Sequence, residues 1–506
     1  MKKFLASMML LAATTASQAA VITLEVYNTR MQTITGFGAA CCDGAMYPYG
    51  TDTKPVELLY GPTSKIGLNI MRMEISPSFK GDENASWTNY NWQGCVPSAL
   101  IVKARGGIVF GTPWSPPGSY KTNGVAQGGN SESQGYQRGK LRTDCYEKFF
   151  PWLNSYLKYM KSKGVNVDAV SIQNEPDWWV SYSGCLYDPE DQVTLVKNYA
   201  SMLDRETYPG VRLISAEPLG FTQNYSDALM KDATCRKHID IVAGHLYGHA
   251  PLKDGNMKSA AVLAAKYGKE VWMTEHSCTD NIDHLPNWHE QLIFAEELNE
   301  CMLAGCTGYI YWYMRAHWGF VGTGETKYNV GTMTNTKNKL LPRAFVMSHF
   351  AKHVTGSTRL TTSRDKTSGE GAGFEYSAYV KGDSLIVMAI DTTKTGHSLN
   401  IILPVEVKSG THLLSTGNET KNLCQEAPIV LDKPTKDVTV DLPARSLNTY
   451  IFMIDKGSTA LRETRRTNVA SAKSYYDLQG RRLDRPHGLC IERDTNGNSR
   501  VVMMKR

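Results

Sequence analysis

Between about residues 35 and 350, short apolar runs of strand length alternate with longer stretches whose apolar positions recur at helical spacing, as parallel βαβ units require. Eight such runs stand out, over 35–38, 69–75, 107–112, 167–173, 211–216, 241–246, 270–274 and 308–314, with helical stretches such as 146–163, 189–204, 288–304 and 342–354 among them. Eight units predict an α/β fold, a (β/α)8 TIM barrel over residues 36–354. A doubly wound open sheet is the competitor, but it would carry a Gly-rich phosphate turn after its first strand, and none follows one here. From about Leu360 to Ile454 the pattern changes to alternating strands, including 384–389, 438–442 and 449–453, broken by Gly, Asn, Pro and Asp turns. This predicts a β-sandwich side domain over 355–455. The N-terminal segment 20–35 is strand-like as well, and is expected to pair with the sandwich and fasten it to the barrel.

The two ends of the chain read differently. Lys2 and Lys3, an apolar run from Phe4 to Ala13, and small residues with Ser17 and Ala19 at cleavage positions predict a signal peptide over 1–19. Thr14, Thr15, Ser17 and Gln18 end that run short of the about 20 apolar residues a membrane span needs, and no later stretch supplies them. Val21 follows Ala20 where a lipoprotein would need Cys. Residues 456–473 have linker composition, and a short β-rich tail follows over 474–506. The tail resembles the C-terminal modules of many exported Bacteroidetes proteins, which implies outer-membrane export or surface attachment. The expected location is therefore secreted or cell surface.

Composition narrows the class. At 506 residues, two or three domains are expected, and 42% apolar with 21% charged residues excludes disordered and fibrous readings. The net charge of +6 sits at the ends: 11 basic residues face 5 acidic ones from Arg462 to Arg506, and Lys2 and Lys3 supply two more. The body is near neutral, so a nucleic-acid partner is not expected. Eleven cysteines leave at least one unpaired, and the close pairs Cys41-Cys42 and Cys301/Cys306 are expected as buried thiols. No C-x-x-C spacing occurs, His245/His249 straddle a strand end and a loop instead of one helix face, and His284/His289 lie near the seventh-strand loop, so no metal site is expected. No Gly-x-Ser-x-Gly elbow supports serine hydrolase chemistry.

Two acidic residues carry the chemistry. The run Ser171-Ile172-Gln173-Asn174-Glu175-Pro176-Asp177 puts Glu175 at the C-terminal end of the fourth strand, and Trp272-Met273-Thr274-Glu275-His276 puts Glu275 at the end of the seventh. Barrels hold their catalytic groups there, and a carboxyl pair at one mouth suits glycoside hydrolysis: one protonates the leaving oxygen while the other attacks or activates water. Opposed strands four and seven fit a retaining geometry, with Glu175 as acid/base and Glu275 as nucleophile. A lone Glu more often caps a helix or pairs with Arg, but that reading fails for both together.

Several further motifs accompany the pair: Gly36-Phe37-Gly38-Ala39, Gly67-Leu68-Asn69-Ile70-Met71-Arg72, Gly111-Thr112-Pro113-Trp114-Ser115-Pro116-Pro117, His245-Leu246-Tyr247-Gly248 and Trp312-Tyr313-Met314-Arg315. With these, residues 22–455 resemble glycoside hydrolase family 30, nearest the bacterial xylanase subfamily (subfamily 8). The resemblance implies a retaining mechanism, no cofactor, and a barrel whose β-sandwich takes strands from both ends of the catalytic region. It implies that Asn174 bonds the sugar hydroxyl beside the reacting carbon and that Trp114 and Trp312 line the cleavage subsite, where an indole stacks on a pyranose face. Tyr247 would hold the nucleophile in position, Arg72 would support its charge, and Trp178 would extend the cleft. In glucuronoxylan-dependent members, Ile-Arg-Arg-Ser-Tyr-Gly follows the eighth strand, and its second Arg and its Tyr clamp the glucuronate branch. Here Met314-Arg315-Ala316-His317-Trp318-Gly319 stands instead. Arg315 and Trp318 remain candidates for substrate contact, but Ala316 cannot fork to a carboxylate and Trp318 lacks the hydroxyl.

The expected function is therefore a secreted, monomeric endo-β-1,4-xylanase acting on xylan or xylo-oligosaccharides without strict dependence on glucuronate. A family 30 β-1,6-glucanase or β-glucosidase is the enzymatic alternative, and a non-catalytic surface glycan-binding protein the alternative from another class.

Overall fold

The computed structural model describes residues 21–41, 52–78, 80, 91–128, 138–248, 255–277, 286–312, 314–324, 335–365 and 373–457, together with four short strands between 474 and 504. The expected signal peptide, most of the linker, His249 and His284 lie outside the described residues. Among those described, no helix is long and apolar enough to cross a membrane.

Strand β1 (Val21–Thr33) precedes eight strands that close a parallel barrel: β2 (Gly36–Cys41), β3 (Ile70–Ile75), β4 (Ile108–Pro113), β5 (Ala169–Ser171), β6 (Arg212–Ile214), β7 (Ile241–His245), β8 (Glu270–Glu275) and β9 (Gly308–Tyr311). Closure is made where β2 pairs with β9, Gly36 opposite Gly308 and Ala39 opposite Tyr311. Near its N-terminal end the barrel is filled by a small apolar cluster that includes Ile70, Phe110, Ile214, Ala243, Trp272 and Ile310. Glu270 sits at that same end, taking Arg212 at 2.7 Å and the Trp272 indole N–H at 2.8 Å. Above this apolar plug lies the C-terminal end of the strands, where barrels carry their catalytic groups.

The outer helices bury one stripe each against the barrel. In Tyr146–Ser162 the stripe is Phe149, Phe150, Leu153, Tyr156, Leu157 and Met160, at spacings of three and four. The helix Trp288–Ala304 starts from a reciprocal Asn287/Glu290 capping box and ends before Gly305, whose φ of 106° is a conformation open to glycine.

The side domain is β10 (Thr358–Thr362), β11 (Phe374–Lys381), β12 (Ser384–Asp391), β13 (His397–Ser415), β14 (Gln425–Ile429), β15 (Thr435–Leu442) and β16 (Ser446–Ile454), joined by β1. The long β13 breaks register between Ile402 and Val407; before the break it pairs with β1 and β15, and after it with β16 and β14. The sheet thereby folds over itself into a sandwich. Polar contacts tie it to the barrel helices: buried His349 bonds Thr449 Oγ1 at 2.8 Å and Ser415 Oγ at 2.9 Å, and Trp288 Nε1 donates to the Arg445 carbonyl at 2.6 Å. Burial lowers the His349 pKa to about 3. A separate unit holds the tail, an antiparallel sheet of β17 (Ser474–Tyr476), β18 (Arg482–Leu483), β19 (Gly488–Arg493) and β20 (Ser499–Met504), ordered β18-β17-β19-β20. Cys301 and Cys306 are buried thiols, and Cys41 is a partly buried one; Cys42 lies outside the described residues.

Candidate active site

At the C-terminal mouth the strands stop pairing and their last side chains converge. Past Ser171 the chain leaves the ladder: the Asn174 N–H donates to the Pro113 carbonyl at 2.9 Å and the Glu175 N–H to the Glu217 carbonyl at 2.9 Å. Glu175 itself has φ 45°, a left-handed conformation that costs a non-glycine residue about 1–2 kcal/mol. The strain swings its carboxyl into the mouth, where Glu175 and Glu275 are 7% and 6% exposed. A carboxylate oxygen of each, with a ring nitrogen of His245, lies within 4.8 Å of the others.

Arg72, fully buried on β3, organises this floor. Its guanidinium pairs with Glu275 Oε2, bonds Asn174 Oδ1 at 2.6 Å, pairs with Glu217 Oε2 at 3.0 Å, and lies 4.6 Å from the centroid of the Trp114 ring. Burial pushes the Glu275 carboxyl up, and the charge of Glu175 adds to this, while His245 and Arg72 pull the other way. Tyr247 hydrogen-bonds Glu275; burial and the two nearby carboxylates raise its hydroxyl well above the usual tyrosine value. Trp114 and Trp312 stand 5.9 Å apart with planes tilted by 31°, and together form an aromatic wall beside the carboxyls.

The remaining sequence-derived candidates fall in two places. Trp178 is 49% exposed and its N–H donates to the Glu175 carbonyl, so it rims the cleft on the Glu175 side. Neighbouring Trp179 lies under the Arg138 guanidinium at 3.4 Å. Arg315 and Trp318 are both 7% exposed: Arg315 bonds Asp52 at 2.7 Å and Asn338 at 2.9 Å, and the Trp318 carbonyl accepts from Tyr311 at 2.8 Å. These contacts brace the loop after β9.

The sequence reading missed three groups. Glu217, at 0% exposure, accepts from Thr112 Oγ1 at 2.7 Å; burial alone would raise its pKa, but Arg72 and His245 bring it down to about 2. His245, quoted from sequence within the motif His245-Leu246-Tyr247-Gly248 and weighed only as a metal ligand, sits with Nδ1 3.1 Å from Glu175 Oε1 and Nε2 3.5 Å from Glu217 Oε2. Burial alone would lower its pKa, but the Glu275 charge and its bonds to Glu175 and Glu217 carry it up to about 9. Tyr182, 40% exposed, has its hydroxyl raised by burial and by the charges of Glu175 and Glu275. The Glu175/His245/Glu275 grouping has ligand-like spacing, and Arg72 already brings a full positive charge to it.

A closed barrel with two buried carboxyls at its C-terminal mouth, Arg72 behind them and indoles beside them is the arrangement of a glycoside hydrolase. The glycosyl hydrolase catalytic core family matches residues 145–323. Glucuronoxylanase XynC of Bacillus subtilis (strain 168) is 26% identical over 405 residues, which is 77% of this chain and 82% of that protein. Endo-1,6-beta-D-glucanase neg1 of Aspergillus fumigatus is 25% identical over 419 residues, covering 75% and 82%. The crystal structure of the family 30 subfamily 8 xylanase Xyn30A from Clostridium acetobutylicum superposes with a TM-score of 0.66 at 26% identity, over 85% of this chain and 99% of that one. The chain is thus similar to glycoside hydrolases of family 30, with bacterial xylanases among these relatives.

Proposed function

We propose that the protein is a retaining endo-β-1,4-xylanase. The observation that carries this reading is the separation of Glu175 and Glu275, whose nearest carboxylate oxygens lie within 4.8 Å. Retaining enzymes hold the pair about 5–5.5 Å apart, and inverting enzymes leave about 6.5–9.5 Å for a water. Glu275 attacks the anomeric carbon while Glu175 gives its proton to the departing glycosidic oxygen, leaving a covalent glycosyl-enzyme and a free sugar end. Water then enters, Glu175 takes its proton, and the hydroxide oxygen displaces Glu275. Asn174, fixed by Arg72, is set to bond the neighbouring sugar hydroxyl, and Trp114 and Trp312 stack the ring.

Xylan as substrate is supported by the likeness to XynC and Xyn30A. Strict dependence on glucuronate is not expected, because Ala316 is fully buried and Arg315 is engaged by Asp52 and Asn338. The N-terminal segment and the tail support export to the cell surface.

The test is mass spectrometry of products from glucuronoxylan, arabinoxylan, linear xylo-oligosaccharides and β-1,6-glucan, beside Glu175→Gln and Glu275→Gln. Internal cleavage of all three xylans, reduced at least about 10³-fold in both variants, is the expected result. Cleavage of β-1,6-glucan alone would overturn the substrate, and unchanged activity in either variant would overturn the mechanism.

A further inference from the structure

The site contains one more carboxylate than the double displacement uses. Glu217 is buried as deeply as Arg72, touches no open part of the cleft, and makes its contacts with Thr112, Arg72 and His245. His245 in turn spans the gap between Glu217 and Glu175.

We propose that Glu217 is a positioning residue that keeps His245 as an imidazolium, so that Nδ1–H of His245 permanently occupies Oε1 of Glu175 and confines the catalytic proton to Oε2. This rests on the reading of Glu175 as the acid/base. The groups facing His245 are Arg72 from β3, Glu175 after β5, Glu217 after β6, Glu275 from β8, and Tyr247 from its own strand end.

Two charge states of His245 fit the contacts. A neutral ring could donate from Nδ1 to Glu175 and accept at Nε2 from Arg72, 3.5 Å away. A cationic ring donates from Nδ1 to Glu175 and holds Nε2–H at ion-pair distance from Glu217 Oε2, 3.5 Å away. The charge inventory separates them. Before reaction, with Glu175 protonated, Glu217 and Glu275 are negative and Arg72 positive; a neutral ring leaves a buried net charge of minus one, and a cationic ring leaves none. After the sugar is on Glu275, that carboxylate has become an ester and Glu175 has become negative. The cationic ring again balances the set. One negative charge moves from Glu275 to Glu175 while a fixed cation waits behind each, Arg72 behind the first and His245 behind the second. Uncompensated buried charge is costly, so the balanced inventory is the one the interior supports. The elevated His245 pKa, about 9, and the depressed Glu217 pKa, about 2, agree with that state.

The direct test is an NMR titration of the histidine rings in the full chain, with the His245 signal assigned by its loss in His245→Gln. Wild type is expected to keep His245 doubly protonated at pH 7, and Glu217→Gln to lower its midpoint by at least about one unit. Glu217→Asp, which keeps the charge, restores the high midpoint and also serves if the Gln variant does not fold. The kinetic companion compares an unactivated xylo-oligosaccharide with a dinitrophenyl xylobioside, whose leaving group needs no proton. In Glu217→Gln, kcat/KM should fall about 10–100-fold more for the first than for the second. A neutral His245 in wild type at pH 7, or a midpoint indifferent to Glu217, would overturn the proposal. The titration needs no turnover, so an enzyme inactive on xylan would count against the proposed function alone.

Discussion

Glu175 pays for its place with a φ of 45°, and that local cost is recovered only because the chain after β5 is held by bonds to Pro113 and Glu217 rather than by the strand ladder. Its place at the barrel mouth was legible from Asn174-Glu175-Pro176 at a strand end, and that of Glu275 from the end of the seventh strand. Ala216-Glu217-Pro218 repeats the same Glu-Pro signature at the next strand, and was available as a signal for the third carboxylate. His245 was not legible, because its partners come from strands four, five and seven and only the closed barrel brings them together. At this scale Trp114→Ala should raise KM for xylo-oligosaccharides about tenfold with a smaller change in kcat, since a stacked ring is worth roughly 0.5–1.5 kcal/mol beyond its buried area. Equal losses in both constants, measured by initial rates, would give the indole a role in the transition state instead.

Among the elements, all eight barrel strands stand where the apolar runs fell, with differences only at their ends. The fourth run, read as 167–173, forms a ladder only over Ala169–Ser171, because Gln173 turns its amide onto the Trp114 and Asn174 carbonyls at 2.7 and 2.8 Å. Such a departure depends on side-chain partners that periodicity does not record. The motif Gly36-Phe37-Gly38-Ala39 has a packing cause: a Cβ on Gly38 would stand 1.9 Å from the Ile70 carbonyl oxygen, and one on Gly36 1.9 Å from Asn69 Oδ1, which accepts from the Phe37 N–H. Gly38→Ala should therefore part β2 from β3 and cost several kcal/mol, about 3 or more, read as a fall in the urea midpoint. At the seam between Trp288–Ala304 and β11, Glu375 takes the Asn299 amide at 3.1 Å, while burial and the charges of Glu300 and Glu296 raise its pKa to about 9. Because the folded state holds that proton more tightly, ionising Glu375 costs stability as pH climbs from its ordinary 4.5 toward about 9. Glu375→Gln should raise Tm by about 1–3 °C at pH 8 and change little at pH 4. A lower Tm at pH 8 would mean that the carboxylate is compensated.

For the whole molecule the buried charges set a stability window with a definite sign. Glu217, lowered to about 2, contributes fully above 4.5 and loses its contribution as pH falls toward 2; His245, raised to about 9, contributes fully below 6.5 and loses it as pH rises through 9. With Glu375 acting in the same direction as His245, Tm should be highest near pH 5–6 and decline toward pH 9, which calorimetry across that range would show or refute. The barrel and sandwich were legible as a change of period from helical to alternating, and the tail sheet as a short β-rich run past a polar linker. Deleting residues 461–506 should leave xylan cleavage within about twofold of the full chain while abolishing retention at the cell surface, read by cell fractionation. The central claim is that Glu275 carries the sugar between two displacements, and it is tested most directly by peptide mass spectrometry after incubation with a 2-deoxy-2-fluoro-xylobioside bearing a good leaving group. The account predicts a single label on the peptide containing Glu275, absent in Glu275→Gln; a label on another residue, or an unlabelled enzyme whose products invert at the anomeric carbon, would contradict it.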